Sequence, residues 1–379
     1  MIFFFFKILH IEINPERNYG LDILRALAIL FVVTKHGTYL LPSERRHVID
    51  FFLFDGVAIF FVLSGFLIGR ILIRTLERQE INFKLILNFW IRRWFRTLPN
   101  YFLILVLLLI LNFIFTDDFS IQKYRCYFIF SQNLYYNHPK FFPEAWSLSI
   151  EEWFYLLIPI ILLIILKSLS TTVRRTVLLT ALSILIGVTA LRYFRFNSLT
   201  DIPANWGQLF FGQVVSRLDS IMYGVIGAYC FYYFKQSWYK YKVLFLCLGI
   251  ILFVNIKFKI INYEEFGFYH SVFSSSVYAL ATLFLLPFLS SLKEGKGFVY
   301  RFITYISLIS YSMYLLNLSV VQIWILKNID WSYLHKFNGY AFLLIRYASY
   351  WFFTIVISIL IYKYFEIPLM NLRDKIKVK

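Results

Sequence analysis

Long apolar runs recur along this chain with little interruption, and they limit its possible folds more than any other feature. The runs "LPNYFLILVLLLILNFIF", from Leu98, and "LLIPIILLIIL", from Leu156, are each expected to form part of a membrane helix, which needs roughly 20 residues to cross a hydrocarbon core of roughly 30 Å. Hydrophobic residues make up 60% of the 379 residues, whereas soluble domains are only about 45–50% apolar. The sequence therefore predicts an all-α, polytopic bundle of transmembrane helices.

About ten apolar segments are separated by short stretches that contain polar residues, proline, or Lys and Arg. They begin near residues 21, 50, 98, 147, 176, 210, 241, 271, 301 and 341. The longest connection, residues 117–145, holds "YRCYFIF", which is too short to span a bilayer and is a candidate re-entrant or interfacial segment. We expect an N-terminal leader at 1–19 without a signal-peptide cleavage site, a membrane domain at 20–373 and a tail at 374–379.

The positions of Lys and Arg predict the orientation of the bundle. Basic residues are dense after the second predicted span and in the C-terminal tail, and they are sparser in the alternate connections. Because basic residues accumulate on the cytoplasmic side, both termini are expected in the cytoplasm. The net charge of +17 is then mainly a topology signal, and its scatter over many loops argues against nucleic-acid binding. The three cysteines show no paired spacing, so neither a disulfide framework nor a metal site is predicted.

Two ionisable side chains lie in the first predicted span, "LDILRALAILFVVTKHG". Charged groups at mid-membrane are costly and usually face a protein interior or a wet cavity. Arg25 and His36 are eleven residues apart, which places them within about 20° of one helix face and roughly 16 Å apart along its axis. Arg25 could simply pair with Asp22, and His36, well inside the predicted span, could be a buried structural histidine. Alternatively, its imidazole could act as a general base or acyl carrier.

Arginines gather in "FWIRRWFRTLPNY", where Pro99 is expected to end a short helix before the third span. Arg92, Arg93 and Arg96 are spaced so that their side chains come together on a helix. Guanidinium groups bind phosphate oxygens through paired hydrogen bonds, which predicts an anion site. The alternative is attraction to anionic lipid headgroups beside interfacial tryptophans.

Two carboxylates begin the fourth predicted span in "EAWSLSIEEWFYLLIP". Glu151 and Glu152 point about 100° apart on a helix. At most one of them is therefore expected to face the stripe of Arg25 and His36, and the other is expected to meet water or headgroups.

The second and sixth predicted spans also hold polar or small residues. Asp55 lies near one end of the second span, and the small residues Ser64 and Gly65 in its middle favour close helix packing over a catalytic serine. Arg217 and Asp219 lie inside the sixth span. Since residues two apart do not face each other on a helix, each is expected to find a partner on another helix.

Seven stretches between Gly20 and Arg373 together resemble the acyltransferase 3 family of integral membrane acyltransferases. In chain order they are "GLDILRALAILFVVTKH", "DGVAIFFVLSGFLI", "RRWFRTLPNY", "AWSLSIEEWFYLLIP", "RLDSIMYG", "ISYSMYLLN" and "EIPLMNLR". The resemblance implies transfer of an acyl group, most often acetyl, from coenzyme A to hydroxyls of cell-surface carbohydrates and other acceptors. It also implies a multi-pass protein of the bacterial cytoplasmic membrane.

The resemblance marks particular positions of this sequence. It implies that Arg25 and His36 form the family's R-x10-H motif, that Arg93 and Arg96 form its RxxR motif, and that Glu151, Arg217 and Asp219 are family positions. Two departures put the roles of their positions in doubt: Ala58 stands where an acidic residue is common, and Asn317 stands where a histidine is common. Some relatives carry an additional hydrolase-like domain, and because this sequence ends after its last span, we expect the membrane domain or a partner to meet the acceptor.

The sequence and the resemblance lead to one mechanistic hypothesis. Arg93 and Arg96, with Arg92, would hold the phosphates of acyl-coenzyme A, and Arg25 would guide the donor or steady its thioester end. His36 would be the base or carry the acyl group, and Glu151 would orient the imidazole or balance Arg25. No metal is expected. The alternatives are a polysaccharide exporter or flippase whose polar stripe lines a permeation path, and a scaffold for partners in surface-polysaccharide assembly.

Overall fold

The computed structural model describes residues 11–14, 17–79, 82–117, 119–260, 264–337 and 339–375, and most of them are helical. Within these ranges ten helices have 16 or more residues and no residue lies in a strand, which confirms the all-α prediction. The long helices are α1 Tyr19–Gly37, α2 Gly56–Arg78, α3 Phe83–Phe115, α4 Ala145–Leu169, α5 Val173–Ser198, α6 Leu218–Tyr233, α7 Lys242–Phe258, α8 Ser274–Leu289, α9 Gly297–Leu316 and α10 Gly339–Ile361.

In the part of the chain that the structure describes, seven helical stretches are long and apolar enough to cross a membrane: Tyr19–Leu40, Ser43–Arg78, Phe83–Phe115, Ala145–Leu169, Val173–Ser198, Gly297–Asn328 and Gly339–Arg373. The chain is thus a multi-pass membrane protein. Helices α6, α7 and α8 match three further predicted spans but have only 16, 17 and 16 residues. The count of about ten, the cytoplasmic termini and the domain bounds stay predictions. Most of the leader at 1–19 and most of the tail at 374–379 lie outside the described residues.

Three predicted helix boundaries differ in the structure. Pro99 does not end a helix, because α3 continues through it from Phe83 to Phe115; membrane helices tolerate proline where neighbouring helices pack around the break. Within the stretch Ser43–Arg78 the long helix of the second predicted span begins at Gly56, and the predicted start near residue 50 falls in a separate short helix, Ser43–Phe52. The sixth begins at Leu218, because the wide helical turn Gly207–Gly212 and the tight turn Val214–Ser216 precede it.

Helices α2 and α6 make a close backbone crossing that only small residues permit. A Cβ atom on Gly65 would lie 2.0 Å from the carbonyl oxygen of Ile221, and one on Gly224 would lie 2.1 Å from that of Val62. The packing predicted for the small residues of the second span is confirmed at Gly65. Because Gly65 faces α6, the preceding residue, Ser64, is turned towards a cavity instead.

Helix α1 carries the two ionisable residues singled out in the sequence, Arg25 and His36, towards its opposite ends. Arg25 lies in its second turn and His36 in its last turn, so His36 is at the end of the helix rather than well inside it. We call these the arginine end and the histidine end. At the histidine end, α9 continues as a widened helical segment, Asn317–Ile325.

The carboxylate of Glu144, just before α4, anchors the start of that widened segment. It accepts hydrogen bonds from the backbone amides of Leu318 (3.0 Å) and Ser319 (2.8 Å) and from the Ser319 hydroxyl. Burial raises the pKa of Glu144 to about 7, although the bonds from Ser319 and Leu318 act in the opposite direction. The contact fixes where Asn317 sits relative to α1.

Candidate functional site

A cavity of about 110 Å³ at the arginine end is bounded by α1, α2, α3, α4 and α9. We call it the arginine cavity. Its polar lining residues are Arg25, Ser64, Arg93, Arg96, Thr97, Ser147, Glu151, Tyr155, Ser310, Tyr311 and Tyr314. The structure therefore brings together Arg25, Arg93, Arg96 and Glu151 from three helices, as the sequence suggested.

Arg93 is held in the arginine cavity by Tyr155. Its Nη2 atom donates a hydrogen bond to the phenol oxygen at 3.0 Å, and its guanidinium carbon lies 4.6 Å from the centre of the ring. Tyr155 in turn donates to a carboxylate oxygen of Glu151 at 2.7 Å, and the Ser64 hydroxyl lies 2.6 Å from the same phenol oxygen. This chain of contacts fixes the orientation of one arginine and places a carboxylate beside it.

Arg96 differs from Arg93 in having no such anchor. Among the described residues it has neither a hydrogen-bond partner nor an ion pair, and it remains exposed to the cavity that it lines. Arg92 is also exposed but does not line this cavity, and its side chain points about 100° away from that of Arg93 on the helix. Of the three arginines in this motif the structure brings Arg93 and Arg96 to the cavity, and the predicted role of Arg92 in donor binding stays a prediction.

Arg25 pairs with Asp22, which was the simpler of the two interpretations of this arginine from the sequence. Its Nη1 atom lies 3.5 Å from a carboxylate oxygen of Asp22 and 3.4 Å from the Ser307 hydroxyl. Arg17 takes the closer position on Asp22, with its Nε donating at 2.9 Å. Because Arg25 makes only the longer contact with Asp22, much of its guanidinium remains available to the arginine cavity.

At the histidine end, the imidazole of His36 is held by Asn317, which is fully buried. His36 Nδ1 lies 2.6 Å from Asn317 Oδ1. The amide of Asn317 cannot be reversed, because its Nδ2 donates to the backbone oxygens of Met313 (3.0 Å) and Tyr314 (2.8 Å). Nδ1 must therefore carry the proton and donate it to Oδ1, which leaves the lone pair of Nε2 for chemistry.

Two further contacts hold the end of α1 in place around this imidazole. Gln322 Nε2 donates to the backbone oxygen of His36 at 2.8 Å, and the phenol of Tyr350 donates to the backbone oxygen of Val33 at 2.9 Å. Tyr350 is fully buried. The position of the imidazole is therefore set by side chains from both the widened segment of α9 and α10.

A second cavity, of about 500 Å³, opens around His36, and we call it the histidine cavity. The side chains of Val57 and Tyr314 line both this cavity and the arginine cavity, so the two are adjacent. The Tyr314 hydroxyl is tied to Ser147 Oγ at 2.6 Å. Val57 and Tyr314 therefore lie at the boundary between the two cavities.

Glu151 and Glu152, the two carboxylates near the start of α4, have surroundings that differ from those predicted from the sequence. Glu151 contacts Tyr155 in the arginine cavity, whereas the described partner of the imidazole is Asn317, so the geometry does not support Glu151 as the residue that orients His36. Glu152 does not meet water or headgroups. It is 7% exposed and accepts a hydrogen bond from Thr97 at 2.8 Å, because α3 packs over this face of α4.

Arg217 and Asp219 pair with different helices, as predicted, although they lie at the start of α6 and not inside a span. Asp219 forms a fully buried ion pair of 2.6 Å with Arg192 of α5. Arg217 lies 3.5 Å from Asp55, whose other oxygen accepts from the amide of Ala58 at 3.0 Å and caps α2. Asp55 and Arg217 both line the histidine cavity.

Sequence reasoning missed several residues that shape this site. Asn317 was noticed only as a departure from the family pattern, although its place in "ISYSMYLLN" was a signal that an amide could stand in for the common histidine. Tyr155 follows Glu151 by four residues and could have been found from helical spacing. Arg192 and Glu144 gave no local signal, since their partners come from distant segments.

Ala58 is fully buried, and no acidic side chain is needed there for the capping contact of Asp55.

Comparison with known protein families supports the same region as a functional unit. A family model described as "Acyltransferase domain" matches residues 18–363. All residues that line the two cavities fall inside this match. No solved structure matches the chain.

Several curated proteins are similar to the chain over part of their length. Peptidoglycan O-acetyltransferase OatA of Listeria monocytogenes is 34% identical over 39% of this chain and 24% of that protein. O-acetyltransferase OatA of Staphylococcus aureus is 30% identical over 59% of this chain and 36% of that protein. The Staphylococcus aureus protein SACOL0978, which also carries an O-acetyltransferase name, is 27% identical over 80% of this chain and 50% of that protein. This chain therefore spans half or less of the length of these relatives.

Proposed function

The chain belongs to the acyltransferase 3 family, and from this premise we propose that it transfers an acyl group, acetyl in the first instance, from cytoplasmic acyl-coenzyme A to a hydroxyl of a cell-surface carbohydrate. The observation that carries the proposal is the pair of adjacent cavities along α1. One holds arginines and the other an oriented imidazole, and they meet at Val57 and Tyr314. In this proposal a donor and an acceptor approach that junction from opposite ends of α1.

The arginine end is suited to the anionic part of the donor. Arg96 has no competing partner among the described residues, and Arg93 is fixed by Tyr155 so that only part of its guanidinium is used. Guanidinium groups bind phosphate oxygens in a fixed planar geometry, which a lysine cannot reproduce. With the phosphates held there, the arm that carries the thioester would extend past Arg25 towards the junction at Tyr314. The orientation that puts this end in the cytoplasm follows from the positive-inside prediction.

The histidine end is suited to proton transfer. Nε2 of His36 makes no hydrogen bond to the described residues, and its lone pair is available because Asn317 holds the proton on Nδ1. In the proposed step, Nε2 takes the proton of the acceptor hydroxyl while the hydroxyl oxygen attacks the thioester carbonyl carbon. The C–S bond breaks, and the coenzyme A thiolate leaves and receives that proton from the imidazolium. An acyl group carried briefly on Nε2 would use the same lone pair.

The role of Asn317 as a positioning residue gives a specific expectation. Asn317→Leu removes the acceptor for Nδ1–H, so the imidazole should sample the unproductive tautomer, and turnover should fall by roughly 10- to 100-fold, as for other residues that orient a functional histidine. Asn317→Asp keeps an acceptor oxygen and, with its second oxygen protonated so that it donates to the carbonyl of Met313 or Tyr314, should retain more turnover than the leucine variant. Steady-state kinetics on purified protein would measure both. Equal turnover in the leucine variant and the wild type would mean that the contact is only structural, and a large loss of donor affinity in that variant would point to misfolding.

Direct labelling tests the function itself against an exporter or flippase. Proteoliposomes that contain the protein, given [¹⁴C]acetyl-coenzyme A and isolated cell-wall glycan, should release free coenzyme A and produce alkali-labile acetyl esters on the glycan. An exporter needs no coenzyme A site, so it would move glycan without either product. Absence of both products in protein that binds neither coenzyme A nor its acetyl thioester would reject the proposal.

The acceptor is proposed to be a polysaccharide on the other side of the membrane. This rests on the named role of one relative, which is a peptidoglycan O-acetyltransferase, and on the position of His36 at the end of α1 opposite the arginines. Peptidoglycan is accordingly the first glycan to use in the labelling assay, and lipopolysaccharide and exopolysaccharide fractions are the next.

A further inference from the structure

Aromatic rings form one wall of the histidine cavity. Trp146, Trp206 and Phe211 all line it. The rings of Trp146 and Phe211 are 5.0 Å apart, and those of Trp206 and Phe211 are 5.8 Å apart and inclined by 27°. Three large rings thus stand side by side in the cavity that contains His36.

Two of these rings, those of Trp206 and Phe211, lie outside the hydrophobic core clusters of the described residues, whereas Trp146 packs against one of them. Trp206 is at the end of the short helix Ile202–Trp206, and Phe211 lies in the turn Gly207–Gly212, so neither belongs to a spanning helix. Both residues are only partly buried. The ring of His270, which lines the same cavity, stacks on that of Trp206 at 4.3 Å and 19°, which fixes the plane of the indole. The indole Nε1 of Trp206 is buried and has no acceptor among the described residues. The segment therefore holds the ring of Trp206 rigidly in the lining of the cavity.

The charges that line the histidine cavity are largely compensated. Lys35 forms an ion pair of 2.7 Å with Asp50, and Arg217 lies 3.5 Å from Asp55. Two cations and two carboxylates thus balance each other around the cavity. Such a lining offers hydrogen-bond donors and acceptors without an excess of either charge, which favours a neutral polar ligand over a polyanion.

The aromatic wall lines the same cavity as His36, and the charges around that cavity are balanced. We therefore propose that Trp206 and Trp146 stack the ring of a neutral pyranose of the acceptor and direct one of its hydroxyls to His36. A pyranose has an apolar face of C–H groups and a polar edge of hydroxyls, so it matches an aromatic wall with a hydrogen-bonding rim. A cavity of about 500 Å³ is within the range of small-molecule sites. This inference rests on the proposed function, since it names the acceptor chemistry of the same site.

Binding of sugar without turnover tests the inference. Wild-type protein in lipid nanodiscs should bind at least one of the neutral oligosaccharides chitotriose, cellotriose and maltotriose, and it should bind trigalacturonic acid more weakly. Trp206→Ala should weaken the binding of that neutral sugar by about tenfold or more, because the stacked area is lost. Trp206→Phe keeps an aromatic face and should stay within about threefold of the wild type. Affinity for acetyl-coenzyme A should be unchanged in both variants, which verifies folding.

The outcomes separate this inference from the proposed function. His36→Ala should weaken the binding of the neutral sugar less than Trp206→Ala does, because the wall holds the ring whereas the imidazole accepts only one hydroxyl. Sugar binding that depends on Trp206, without any acyl transfer from acetyl-coenzyme A, would leave this inference standing and reject the proposed function. Acyl transfer with the same acceptor KM in Trp206→Ala and the wild type would reject this inference alone. Failure of all three neutral sugars to bind at millimolar concentration, or tighter binding of trigalacturonic acid, would also overturn it.

Discussion

Replacing His36 with alanine is expected to lower acyl transfer by about 10²- to 10⁴-fold, the usual contribution of a general base. The helix should still insert, since the rest of α1 is apolar and packed against α2 and α9. Donor affinity should change little, because Arg25 lies roughly 16 Å from His36 along the axis of α1, and Arg93 and Arg96 line the other cavity. Turnover and donor titrations on purified protein in lipid would measure the two effects separately.

His47→Ala is the matched control for the histidine substitution. His47 lies on the short helix Ser43–Phe52 and is exposed. We expect its removal to leave turnover unchanged. If well-inserted His36→Ala protein transferred acyl groups at nearly the wild-type rate, His36 would be the structural histidine of the simpler interpretation, held by Asn317 only for packing.

Replacing Arg96 with lysine is expected to weaken the apparent affinity for acyl-coenzyme A by roughly 10- to 100-fold. Lysine keeps the charge but loses the planar fork, and a hydrogen bond to a charged group contributes about 1.5–3 kcal/mol. Arg93→Lys should weaken donor affinity as well, and it should also lose the contact with Tyr155. Turnover at saturating donor should recover in part for both variants, in contrast to His36→Ala.

Donor titrations in nanodiscs, with Arg78→Lys as the control, decide whether the arginines bind phosphate or lipid. Arg78 is exposed in the last turn of α2 and does not line the arginine cavity. If the cluster only contacts anionic headgroups, a lysine serves nearly as well, and all three variants should match the wild type. Unchanged donor affinity in Arg96→Lys and Arg93→Lys would therefore place the coenzyme site elsewhere.

Local sequence determined the helical class and the relations between residues on one helix. Apolar runs of this length predict membrane helices because backbone groups in lipid must be satisfied within the segment. The fixed rise and turn of a helix place Arg25 and His36 on one face and bring Arg93 next to Arg96. These inferences needed no tertiary contact. They failed where a break in the helix depended on its neighbours, as at Pro99 and in the turns before α6.

Only the tertiary structure decided which side chain serves each of these residues. The contact of His36 with Asn317 joins positions 281 residues apart, and that of Arg93 with Tyr155 joins positions 62 apart. Such pairs depend on helix crossings like the one at Gly65 and on the widened turn after α9, and helical spacing within one segment carries no information about either. The sequence thus determined which chemical groups lie along α1. The packing of the other helices determined which nitrogen of His36 is free and which arginine of the arginine cavity has no partner among the described residues.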